Sequence, residues 1–496
     1  MAVKVDTQKE IIFGSSDPNI SRVISKKKKD GELRKLAPRI YTTNLIDSPA
    51  NIVRRNLIEI LAYRYPNALI SHRSAKEMRP TSTGDFFLTN STTRRVTDLP
   101  GIILNFVKGP KATAHDIPFM GMHISGEHRY MLENMQLSRK SGDESRVLPI
   151  SVIENKLEQL LLTGGEERLN QYRDELREVA NELGMADEFS KINNIISALL
   201  STHDARVLST DSAKARASGN PFDANRVGLF EILFDTIKDR YFVIRNNRNT
   251  DEDSFRLFSF FESYFSNYIE GTEFDIEEAK EIVDSGIPMP RRDEDSHDIL
   301  GTFKILSNRT EMRRVPTSPE ELFAILSHRH TILLEGRPHM NPGVFKMRNN
   351  RAGQTEFVDY QLVKGTLSQG FKYYSALTDP FARAIFMMFM ISEVHPFNDG
   401  NGRIARVMMN AEFVRADQSR IIVPTVFRED YILALRKLTS HKDPMAYINV
   451  MTKLHQFSDN LYGSDFTELK NYLAACNAYE EPSQAKLQII DRSIRH

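Results

Sequence analysis

The chain has 496 residues, 40% hydrophobic and 27% charged, with 66 basic and 66 acidic side chains and hence no formal net charge. That length allows two or three domains, the composition is that of an ordinary globular protein, and the neutral balance singles out neither a polyanionic nor a polycationic partner. The single cysteine, Cys476, excludes an intramolecular disulfide and any cysteine-rich metal site.

The charge is unevenly spread, with 20 Lys/Arg against 10 Asp/Glu in residues 1–115 and 46 against 56 in the rest. The opening "MAVKVDTQKE" lacks the apolar stretch of a signal peptide. The longest apolar run, "AIFMMFMI" at 384–391, falls far short of the roughly 20 residues that span a bilayer. A cytoplasmic chain without membrane contact is the expectation, and the sequence leaves a homo-oligomer open.

Read in chain order, the basic run Lys26–Lys29 precedes "NIVRRNLIEILAYRYP", whose apolar spacing predicts a helix closed at Pro66. The runs "GDFFLTN" and "GIILNFVKG" follow as strands broken by turn residues. Residues 1–125 are therefore expected to form a small α+β domain, with a winged helix as one candidate. Residues 126–226 read as a helical connector. "SVIENKLEQLLL", "EERLNQYRDELREVANELG" and "EFSKINNIISALLS" are amphipathic helices, and the aperiodic polar stretch 201–226 is expected to be extended or mobile. From 227 to 460 nearly every segment has helical periodicity. The exception is "NPGVFKMRNNRAGQTEFV" (341–358), which predicts a β-hairpin. The polar tail 461–496 reads as peripheral.

One segment concentrates chemistry. "DPFARAIFMMFMISEV" (379–394) is apolar nearly all round and predicts a buried helix that His395-Pro396 must end, because proline disfavours α geometry in the residue before it. "RIARVMMNAEFVRA" is the next helix. Asp399-Gly400-Asn401-Gly402 therefore feeds a helix N-terminus, where unpaired backbone N–H groups can form an anion nest. The glycines permit close approach of a phosphate, and Arg403 and Arg406 project from neighbouring positions of one face. Asp399 is a hard oxygen ligand suited to Mg²⁺ bridging phosphates, and His395 can take a proton from an attacking hydroxyl.

The string "HPFNDGNGRIAR" (395–406) resembles the Fic signature H-P-F-x-[D/E]-G-N-G-R-x-x-R, matched at every position by His395, Pro396, Phe397, Asp399, Gly400, Asn401, Gly402, Arg403 and Arg406. The resemblance, covering roughly 225–460, implies a mainly α architecture, with a helical core and a β-hairpin flap behind the small α+β winged-helix-like domain. It implies protein adenylylation, with ATP and Mg²⁺ as cofactors. His395 would deprotonate a Ser, Thr or Tyr hydroxyl of a target protein, and Phe397 would anchor the loop. Asp399 would bind the metal, while the nest with Asn401, Arg403 and Arg406 would hold the phosphates. A kinase-like branch of the family has lysine at the position of Gly402, so glycine favours adenylylation. The flap turn, with Gly353, Gln354 and Thr355, is the expected place for contacts to nucleotide or substrate.

Many proteins of this family carry an inhibitory helix with the pattern [S/T]-x-x-x-E-[G/N], a weak pattern that occurs here twice: Ser266…Glu270-Gly271 and Thr331…Glu335-Gly336. The first ends the apolar helix near 255–271 and is expected to be inhibitory, with Glu270 paired to Arg406 and Ser266 holding the helix end. The second lies in the connection to the flap. Removal of AMP, with Glu270 aligning water, is the alternative reaction. The N-terminal part loosely resembles winged-helix antitoxins of the abortive-infection type. Its Lys26–Lys29, Arg34, Lys35 and Arg39 suit DNA-backbone contact or a solvated face equally. A nucleic-acid-binding regulator whose core senses nucleotide is the reading from another class.

Overall fold

The computed structural model describes residues 9–353 and 355–492 and divides into two compact units, Met1–Ser218 and Gly219–His496. Among the described residues no helix is long and apolar enough to cross a membrane.

In the first unit, strands β1 (Ile11–Phe13), β2 (Arg34–Ala37) and β3 (Ile40–Thr42) form a small antiparallel sheet ordered β1-β3-β2. Strands β4 (Leu69–Ile70), β5 (Asp85–Asn90), β6 (Arg94–Leu99), β7 (Ile102–Lys108), β8 (Ile117–Phe119) and β9 (Met122–Ile124) form a mixed sheet ordered β6-β7-β5-β4-β9-β8. The unit is α+β as expected, with a larger sheet than a winged helix needs. Phe86 and Leu88 of β5 and Leu104 and Phe106 of β7 share a core with Ile52 and Ile60 from the helices Pro49–Arg55 and Leu57–Arg64. The long helix Ile150–Leu183 is broken at Gly165 (φ 67°, ψ −170°), a conformation that glycine alone adopts at little cost. A separate apolar core joins it to the helix Ala186–Leu199 through Leu157, Tyr172, Leu176 and Ile196.

The stretch expected to be extended or mobile is instead folded down. It contains the helix Asp211–Ala217, and Glu154 accepts from the N–H groups of Ser209 (2.7 Å) and Thr210 (2.8 Å). Glu158 takes the Ser212 hydroxyl at 2.8 Å. Two carboxylates on a predicted helix thus supply the order that 201–218 lacks in its own periodicity.

Among its described residues the second unit is helical apart from one hairpin and an isolated bridge between Asn246 and Gln418. The helices used below are α1 (Ala224–Ile237), α2 (Glu252–Ile269), α3 (Asp293–Leu306), α4 (Pro319–Leu333), α5 (Val363–Ala376), α6 (Pro380–Val394), α7 (Asn401–Arg415), α8 (Arg428–His441), α9 (Pro444–Ser458) and α10 (Phe466–Ala475). Helix α6 starts on Asp379, whose side chain accepts from the Ala382 N–H, with Pro380 in the first turn where its missing donor costs nothing. Every residue from Ala384 to Ile391 is buried, so α6 forms the axis around which the others pack.

The hairpin is narrower than 341–358. Among the described residues the paired strands are β10 (Arg351–Ala352) and β11 (Thr355–Glu356), extended by one bond from the Phe357 N–H to the Asn350 carbonyl, while Lys346 before them bonds to the histidine loop instead. The tail is likewise not peripheral. Phe466 stacks on Phe261 of α2 (5.9 Å between centroids, 11°), Tyr479 stacks on Phe265 (5.4 Å, 23°), and Leu473 and Cys476 are buried. Its aromatic residues at wide spacing fit no simple helical period, which hid this role. Phe261 is fully buried in this layer, so Phe261→Ala is expected to destabilise the second unit by about 3–5 kcal/mol, read as a lower urea midpoint.

Candidate active site

Helix α6 ends because His395 adopts a left-handed conformation (φ 52°, ψ 60°), and Gly400, also left-handed (φ 71°), opens α7. Between these two reversals the loop 395–400 is closed by side chains. Asn401 Oδ1 accepts from the Phe397 N–H at 2.9 Å while its Nδ2 donates to the Phe397 carbonyl at 2.8 Å. Asn401 is buried, and its amide serves as the loop's fastener.

A second fastener was not singled out in the sequence. His330 on α4 stacks on the Phe397 ring (3.7 Å, 6°) and bridges two backbone groups. Its Nδ1 accepts from the Gly343 N–H at 2.8 Å, which leaves Nε2–H to donate to the Asp399 carbonyl at 3.0 Å. Burial pushes its pKa down to about 4, consistent with a neutral ring in that role.

His395 donates from Nδ1 to the Ser392 carbonyl (3.1 Å) and stacks face to face on Phe357, just past the hairpin (3.5 Å, 5°). That tautomer leaves Nε2 as an acceptor. Burial, helped by the nearby Lys346 cation, lowers its pKa to about 4, so the imidazole is neutral at pH 7 and able to take a proton. Asp399 is 39% exposed at its side chain; Oδ1 accepts from its neighbour Gly400 N–H (2.7 Å), and Oδ2 lies 3.7 Å from Arg403. Oδ2 therefore retains room for a cation. Among the described residues no group of three or more His, Cys, Asp or Glu is arranged to hold a metal, so any Mg²⁺ here would need phosphate oxygens to complete its shell.

The two arginines differ. Arg403 is buried and already paired: Nη1 lies 2.7 Å from Asp298 of α3 and 3.3 Å from Asn267 of α2. Asp298 also takes Arg337 at 2.7 Å. Asp298 and Arg337 are distant in sequence from the glycine loop, and no local signal announced them. Arg406 faces α2. Its Nε donates to Ser266 Oγ (3.0 Å), and Nη2 donates to the Ser266 carbonyl (2.8 Å) and to Glu270 Oε1 (2.7 Å). Glu270 also closes over Gly402, where any Cβ would overlap its carboxylate. Glu335, by contrast, is 66% exposed and pairs with Lys304 at 3.2 Å, away from the loop.

The structure thus gathers His395, Asp399, Gly400, Gly402, Arg406, Ser266 and Glu270 at one place. Gly353 and Thr355 lie in the hairpin, Gly353 at its turn (φ 58°); Gln354 lies outside the described residues. In the first unit, Lys26, Lys28, Lys29 and Lys35 are exposed. Arg34 instead donates to the carbonyls of Asn44 (3.1 Å) and Asp47 (2.5 Å) and is committed to its own loop.

Residues 318–412 match the model of the Fic/DOC family. A protein adenylyltransferase fic-1 of Caenorhabditis elegans is 30% identical over 115 residues, 23% of this chain and 22% of the relative. A protein adenylyltransferase Fic of Nematostella vectensis is 24% identical over 214 residues, 40% of this chain and 47% of the relative. A Fido domain-containing protein of Dictyostelium discoideum is 28% identical over 102 residues, 20% of this chain and 71% of the relative. A solved structure of Fic-1 from C. elegans aligns at 16% identity over 66% of this chain and 92% of its own, with a TM-score of 0.36. The chain spans about a fifth to a half of the length of the two adenylyltransferases. The segment 318–412, which contains the glycine loop, is thus similar to the Fic/DOC family.

Three buried histidines of this unit, His330, His395 and His455, have pKa values lowered to about 4. A histidine held neutral by the fold stabilises fully above its unfolded value near 6.5 and loses that contribution as pH falls toward 4, because the unfolded chain takes the proton first. Glu262, raised to about 7 by burial, works the other way, its contribution falling as pH rises from 4.5 to 7. Glu393 and Glu412, also raised by burial, oppose the histidines in the same way, so the histidine contribution is read by difference. The urea midpoint is expected to fall less, or rise more, between pH 6.5 and 4 in His455→Gln than in the unchanged chain, and an identical pH dependence in the two contradicts the assignment.

Proposed function

We propose that the chain is a protein adenylyltransferase that moves AMP from ATP to a Ser, Thr or Tyr hydroxyl of a target protein and of itself, and that Glu270 restrains it. The observation that carries the reading is the Glu270–Arg406 pair (2.7 Å) closing over Gly402 at the start of α7. His395 Nε2 takes the proton of the incoming hydroxyl, whose oxygen attacks the α-phosphorus as the bond to pyrophosphate breaks. The first-turn N–H groups of α7 have no intrahelical partners and receive the phosphates, with Arg406 on the terminal one. The hairpin residues Gly353 and Thr355 border the nucleotide and the target. Asp399 Oδ2 would hold Mg²⁺ against the phosphates, which neutralises their charge. Catalysis here is mostly alignment and charge stabilisation.

While Glu270 holds Arg406, the γ-phosphate has neither its cation nor its space, and ATP can bind only with the α-phosphorus out of line. Glu270→Gly is therefore expected to raise labelling from radioactive ATP at least tenfold, since about 1 Å of misalignment can cost a hundredfold. His395→Ala in that background is expected to lose about 10²–10⁴-fold in rate while still binding ATP. Glu335→Gly should not activate. Activation by Glu335→Gly alone would move the restraint to the other helix. The 34% exposure of the same carboxylate supports a second reading, in which it aligns a water against an AMP-modified target. Loss of a removal activity in Glu270→Gly without gain of transfer would favour that reaction.

The exposed Lys26, Lys28, Lys29 and Lys35 support a second role in contacting a nucleic-acid backbone. If they do, retention of the full chain on generic duplex DNA falls steeply between 50 and 200 mM salt, on the order of 10²-fold for four phosphate contacts. Retention indifferent to salt, or none, assigns the first unit to protein contacts.

A further inference from the structure

We infer that Lys346 is a positioning residue for His395, clamping the histidine turn from outside the signature and keeping a cation beside the imidazole. The inference rests on the adenylyltransferase reading for its kinetic part only. Lys346 belongs to the segment between α4 and the hairpin, in "NPGVFKMRNN", and only 3% of it is exposed. Its backbone N–H donates to the Pro396 carbonyl at 2.8 Å. Its ammonium donates to the Val394 carbonyl (3.4 Å) and to Asn350 Oδ1 (2.7 Å), and Asn350 Nδ2 donates to the Phe397 carbonyl at 2.9 Å. Lys346 and Asn350 therefore grip the carbonyls of residues 394, 396 and 397, on both sides of a histidine held in a left-handed conformation. Such a conformation persists in a non-glycine residue only where the surroundings over-determine it.

An ammonium is seldom buried without a carboxylate on it. Here two amide-type oxygens serve, and the charged groups that face it are Arg226 of α1, Asp359 past the hairpin, and His395 itself. His395 in turn faces Lys346, Glu270 and Asp399, with the apolar Phe357 ring on its flat side. Of these, Lys346 is the one group that opposes a proton on the imidazole; the two carboxylates favour it. Beside burial, which is the larger effect, this cation opposes a proton on the base before the hydroxyl arrives. Burial also lowers the Lys346 pKa to about 8, so the clamp has a titration within reach of experiment.

The test measures His395 by NMR titration of labelled imidazole, its signal identified by its loss in His395→Ala, beside AMP transfer in the Glu270→Gly background. Lys346→Met keeps the stem and removes the charge. It is expected to raise the His395 titration midpoint by at least half a pH unit and to lower kcat at least tenfold, with KM for ATP changed less than twofold. Lys346→Arg should recover most of kcat and abolish the loss of rate above about pH 8, because guanidinium stays charged there. Asn350→Ala, which leaves the cation and cuts the grip on Phe397, should lower kcat without moving the midpoint. If Lys346→Met folds with an unchanged His395 midpoint and unchanged kcat, or if Lys346→Arg is no better than Lys346→Met, the inference is overturned. Should Lys346→Met not fold, the Asn350→Ala and Lys346→Arg results decide it alone. A shifted midpoint in a protein without AMP transfer would uphold the clamp and refute the proposed reaction instead.

Discussion

A guanidinium buried in a helical core must be answered by an anion, and Arg406 sets that requirement for the whole second unit. Leaving such a charge unpaired costs several kcal/mol, more than a typical single contact returns. Helix α2 meets the demand with a carbonyl, a hydroxyl and a carboxylate, all from residues 266 and 270. The stripe continues one turn back, where Glu262 accepts from Asn410 (2.7 Å) and pairs with Arg420 (2.9 Å). Residues 262, 266 and 270 of one helix thus face 410, 406 and 402 of the other at the four-residue spacing that puts side chains on a common face. The register of α2 on α7 is fixed by polar pairs, and Glu270 arrives over Gly402 as a consequence of it.

That arrangement makes one electrostatic demand answerable in two ways. A terminal phosphate would satisfy Arg406 as well as Glu270 does, so on the proposed reading ATP competes with a side chain that is tethered and always present. Tethering gives the carboxylate a high effective concentration, and the aromatic layer of Phe466 and Tyr479 against Phe261 and Phe265 stiffens the tether. Arg403 does not take part in this exchange. Its partner Asp298 is itself buried and shared with Arg337, so this pair reads as a fixed strut beneath the loop.

Much of this was legible in the sequence because it is local. Helix periodicity located α2, α6 and α7; the proline after His395 fixed the end of α6; and Gly400 marked the left-handed residue that opens α7. The choice of Glu270 over Glu335 came from context along the chain; Glu270 lies over Gly402, while Glu335 pairs with Lys304. What escaped was of two kinds. Segments without periodicity, 201–218 and the tail after 460, fold because other helices supply carboxylates or aromatic rings for them. Single polar residues, His330, Lys346 and Asp298, gain their roles only by reaching the loop across dozens of residues.

The sequence by itself determined the helical class of the second unit, the glycine loop that opens α7, and the side chains equipped for acid–base and cation chemistry, because each follows from neighbours within a few residues. Only the tertiary structure decided which of those side chains are committed. Asn401 fastens its own loop and Arg403 is held by Asp298, while Arg406 faces a carboxylate 136 residues away. Burial decides this. In water every one of these polar groups would be satisfied without a partner, whereas in a packed interior each must find one, and which one it finds depends on how helices far apart in sequence are brought into register.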